Sequence, residues 1–168
     1  MSETASFPPH RGERLDSFFD TAMEAVAELE RCRARLHGAL RVAYFLYSDV
    51  QREMDRAGLV LGLEAVPTMA GALRPQLGLV CRATAAEETA TKKGEEQIQE
   101  SYEFAVVSMA DGDENDSARW FASAPSVGLR ECQQRFREVV NACVEAVEAQ
   151  KRAIAAAEAY RAVVAQTA

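Results

Sequence analysis

A seven-residue repeat of apolar side chains between Leu15 and Leu61 constrains this chain more than any other feature. With Leu15 placed at heptad position d, the d line holds Leu15, Ala22, Leu29, Leu36, Ala43, Val50 and Ala57. The a line holds Phe19, Val26, Arg33, Leu40, Tyr47, Met54 and Leu61. Thirteen of these fourteen are apolar, and Arg33 is the exception. Side chains along a strand change face at every residue, so a stripe of this period fits a helix packed along most of its length in a left-handed supercoil. The repeat predicts one helix over about residues 12–61, which at 1.5 Å per residue would extend roughly 75 Å.

The stripe is wider than a two-stranded seam requires, because Phe18, Ala25, Cys32, Ala39 and Leu46 fill the g line as well. Three apolar lines belong to a helix that touches neighbours on two sides, as in a bundle. Gly38 lies inside this stretch and is a candidate bend. A matching pattern runs near the C-terminus. Leu129, Phe136, Cys143, Ala157 and Val164 share one seven-residue spacing, and Cys132, Val139, Ala146, Ala153 and Tyr160 share another, with Gln150 and Thr167 as polar breaks. Val140, Val147 and Ile154 widen this stripe too. It predicts a second helix over about 127–166, capped by Ser126 after Pro125.

Between them the pattern weakens. Residues 64–82 hold Pro67 and Pro75 among leucines, which suggests a short helix pair or a kinked packing segment. A third helix is expected over 84–109, where Ile98, Tyr102, Ala105 and Met109 keep a heptad-like spacing; a strand over 102–108 is the competing reading, because YEFAVVS is β-leaning. Residues 111–116, DGDEND, read as a loop, and a short helix near 118–122 capped by Asp116 would carry Trp120 and Phe121 against the bundle. The expected fold is therefore all-α: an elongated bundle of two long heptad-patterned helices packed antiparallel, with shorter helices between them. Residues 1–10, with a Pro-Pro pair and no periodicity, read as a flexible arm, and residues 11–168 as a single helical-bundle domain.

Net charge is −7, concentrated in residues 63–125, while the two long helices are near neutral. An acidic chain has no long-range attraction for phosphate backbones or anionic lipid, so nucleic acid is not an expected partner. No run of apolar residues is long enough to span a bilayer and the N-terminus lacks a secretory pattern, so integral membrane insertion is not expected and the location is read as cytoplasmic, with nuclear as an option, and not secreted. Cys32, Cys81, Cys132 and Cys143 form no C-x-x-C pair and read as free thiols, three of them on the apolar stripes.

The sequence offers little to catalysis. His10 and His37 are the two histidines, and His37 follows Cys32 by five residues, off the same helical face. No E-x-x-H motif exists to build a di-metal carboxylate bundle. The loop from Asp111 begins like a calcium-binding EF-hand, then places Asp116 where a Gly must turn the chain and Ala122 where a bidentate Glu must close the shell. No phosphate-cradling glycine loop or nucleophile elbow occurs. No catalytic, cofactor-binding or metal residue is expected, and no cofactor.

What remains is interaction through helix packing. Arg33 is expected to point into the seam, paired with a carboxylate of a neighbouring helix or reserved for a partner protein. Phe18, Phe19, Met23, Arg33 and His37 are the interface candidates, and the expected partners are other protein subunits or a second copy of the chain. The function read from the sequence is a non-enzymatic structural or adaptor subunit of a larger assembly; the alternative is a lipid-surface or membrane-shaping helical protein.

Overall fold

A computed structural model of the chain describes residues 10–69, 75–84, 101–109 and 116–167. Two long helices, α1 (His10–Arg56) and α2 (Val127–Thr167), dominate it. Between them lie two strands, β1 (Leu77–Thr84) and β2 (Ser101–Ser108), and single 3-10 turns at Leu63–Ala65 and Ser117–Trp120. The molecule is mostly helical with its two long helices packed against each other. By compactness the chain divides into two units, Met1–Leu36 with Glu145–Ala168, and His37–Val144. The arm expected at 1–10 lies outside the described residues except for His10, which opens α1.

The all-α expectation is corrected in the middle of the chain. Where a kinked helical segment and a third helix were expected, β1 and β2 form an antiparallel two-stranded sheet. Its register sets Leu77 opposite Ser108 and Thr84 opposite Ser101, with Arg82 facing Glu103 as a cross-strand pair of opposite charge. The Tyr102, Ala105, Met109 spacing mimicked a helix, but the β-branched and aromatic residues of EFAVVS find a partner of like character in LGLVCRAT, and tertiary pairing outweighs a short periodic run. A Cβ at Gly78 would meet the Met109 sulfur at 2.6 Å, so the exposed Met109 side chain lies directly over this glycine. The remainder of the expected third helix, including Ile98, lies outside the described residues.

The first long helix ends five residues before the expected boundary, for a backbone reason. Gly58 adopts φ 71°, its N–H donates to the Asp55 carbonyl, and the Leu59 N–H reaches back to the Met54 carbonyl. This double closure satisfies the last carbonyls and stops the helix, and only glycine adopts that φ without strain. Leu61 nevertheless stays buried, held by the Tyr47 hydroxyl donating to its carbonyl at 3.2 Å. At the other end of the connection Ser126 caps α2, its Oγ accepting from the Leu129 N–H at 3.2 Å.

In the unit His37–Val144, α1 and α2 run antiparallel around a core of Val50, Met54, Leu61, Ala118, Leu129 and Cys132, with Tyr47, Phe121 and Phe136 against it. Phe136 meets Tyr44 and Tyr47 edge to face, with centroids 5.6 and 6.4 Å away. Asp116 caps the second 3-10 turn through the Ala118 N–H, as expected, and so puts Ala118 and Phe121 on this core. The Gln133 side-chain amide donates to Gln76, Asp116 and Ser117 oxygens, and Arg137 donates to the same Gln76 oxygen. This tie fastens the foot of the β-hairpin and the 3-10 turn to α2.

In the other unit the two helices also run antiparallel, around smaller side chains. Cys32, Ala146 and Ala149 are buried, with Leu29 and Leu36 packed on them, and Phe19 meets Tyr160 edge to face at 5.8 Å. Alanine at both the 146 and 149 positions lets the helix axes approach closely, so small residues here act as the seam itself.

Candidate interaction surface

The burial pattern of α1 shows which of its three apolar lines face α2. Between Leu15 and Leu36 every d and g residue is covered or half-covered (Leu15, Phe18, Ala22, Ala25, Leu29, Cys32 and Leu36), and outside those lines only Ala27 and Glu28 are. The matching seam of α2 in this unit is Ala146, Ala149, Ala153, Ala156, Tyr160 and Val163. The a line is therefore outside the seam here, which corrects the lettering expected from sequence. Gln150, expected as a polar break, is exposed and interrupts nothing. Cys143, expected on an apolar stripe, is exposed as well, while Cys32 and Cys132 are buried.

The two flanks of this seam differ in character. On one, Arg35 pairs with Glu145, and Glu28 feels the charge of Arg152 while binding Arg31 at 2.6 Å. The hydrogen bond from Arg31, reinforced by that from the Cys32 thiol, holds the Glu28 carboxyl below its ordinary range. Burial, with the Glu28 contact adding to it, pushes the Cys32 thiol up. Glu28 and Arg35 sit one position before the d residues Leu29 and Leu36, and Glu145 and Arg152 one position before the seam residues Ala146 and Ala153, so equivalent positions of the two helices share a side, as antiparallel packing requires.

The opposite flank carries the a line and the e line (Asp16, Met23, Glu30 and His37), and its apolar members are uncovered. On α1, Phe19 is 47%, Met23 52% and Val26 40% exposed; on α2, Val147 is 45% and Ile154 50% exposed. In the unit His37–Val144 the corresponding a line, Leu40, Tyr47 and Met54, is half-buried or buried, and Leu61, Ala118 and Phe121, from outside the two long helices, pack in one cluster with Tyr47 and Met54. Among the described residues nothing plays that part for Phe19, Met23 and Val26. Isolated apolar residues on a surface are ordinary, but five on the two helices of one seam are a grouping of the kind that marks an interaction site.

Of the five interface candidates, Phe18 belongs to the half-covered seam, and Phe19 and Met23 to the exposed flank. Arg33 was expected inside the seam and is instead exposed; among the described residues it makes no ion pair. The reason is the shift of seam from a/d to d/g, which turns the one charged a residue outward and removes the conflict its burial would have posed. His37, in the other unit, is exposed on the e line. Reading the sequence missed Val26, Val147 and Ile154 as surface residues, since an apolar residue on a helical stripe is normally assigned to the core.

Neither a cluster of metal-ligating side chains nor a buried charged side chain occurs among the described residues. Asp111–Asn115, the start of the EF-hand-like stretch, lie outside them, and Asp116 is engaged as a helix cap. No helix among the described residues is long and apolar enough to cross a membrane. No family model, curated protein or solved structure matches this chain.

Proposed function

We propose that the chain is a non-enzymatic helical interaction protein, a structural or adaptor subunit that joins a larger protein assembly through coiled-coil-like helix packing. The observation that carries this reading is the uncovered apolar flank of Phe19, Met23, Val26, Val147 and Ile154 beside a fully formed two-helix seam. Two antiparallel helices leave a shallow groove along each flank, and an apolar groove accepts the apolar face of a further helix, with anchors spaced three and four residues apart. The five apolar residues offer nothing to a phosphate backbone, and Arg33 on the same flank is offset by Glu30.

The test is a photoreactive side chain placed in turn at Val26 and Ile154, with Arg31 as the control position, in cells that make the protein. Protein adducts from Val26 and Ile154 but not from Arg31 support the reading. Lipid adducts at those two positions, or salt-sensitive flotation of the purified chain with acidic phospholipid vesicles, would replace it with a lipid-surface role.

A further inference from the structure

We draw no further inference here: the strongest candidate, the apolar face of the β-hairpin on which Leu79, Cys81, Ala83 and Tyr102 stand exposed, is an unpartnered surface, and among the described residues nothing shows what covers it.

Discussion

At the scale of single residues, two methionines on the same helix show how position decides the role of one side chain. Met54 is 4% exposed within a cluster that includes Val50, Leu61, Leu129 and Cys132. Met23 stands on the open flank. Truncating a buried methionine removes its transfer free energy and leaves a cavity, so Met54→Ala should cost about 2–5 kcal/mol in denaturant unfolding. Met23→Ala should cost under about 0.5 kcal/mol in a dilute sample, since no cavity forms. Comparable losses at both sites would mean that Met23 is core within the folded chain, and the interaction surface would then have to be sought elsewhere. Arg33 follows the same logic: its charge conflicts with a seam position and fits an exposed one, so its identity is informative only once its line is known to face outward.

At the scale of elements, α1 passes through Gly38 without interruption. A Cβ added there would meet nothing within 4 Å. Gly38→Ala should therefore raise unfolding free energy by about 0.5–1 kcal/mol, through helix propensity and a less flexible unfolded chain; a loss instead would show that the helix uses this position to deform. The charged flank offers a pH test. Because the folded-state pKa of Glu28 is depressed, its contribution is present above the ordinary carboxylate value of 4.5 and disappears as pH falls through the lower folded value. Melting of wild type should exceed that of Glu28→Gln at neutral pH, by a small margin because the group is exposed, and the two should converge on acidification below that range. A margin that persists at low pH would assign it to packing. Both long helices were legible in sequence, since a stripe of that length has no alternative period. Which two of three apolar lines formed the seam was not, because alanine, valine and phenylalanine satisfy an inner and an outer line equally until the partner helix is placed. The strands escaped because β1 and β2 each span eight residues and their pairing is non-local. The early stop of α1 was present in the sequence as Ala57-Gly58 and was overridden by the continuing apolar register of Leu61.

At the scale of the whole molecule, the two compact units rest on different kinds of core. The unit His37–Val144 buries Val50, Met54, Leu61 and Leu129 alongside small residues. The unit Met1–Leu36 with Glu145–Ala168 has Cys32, Ala146 and Ala149 as its buried cluster, with leucines partly covered. Hydrophobic stabilisation follows the apolar area removed from water, so the second of these should open at lower free energy when nothing covers its flank. Native-state hydrogen exchange measures this directly. In a dilute sample the α1 amides around Phe19 to Arg33 should exchange faster than those around Val50 to Met54. A partner covering the flank stabilises by mass action, so adding it should slow exchange around Phe19 to Arg33 and leave Val50 to Met54 unchanged. Equal protection of both stretches in the dilute sample would show that the alanine seam is sufficient alone, and an apolar flank that needs no covering would lose its claim to be the surface through which this chain assembles.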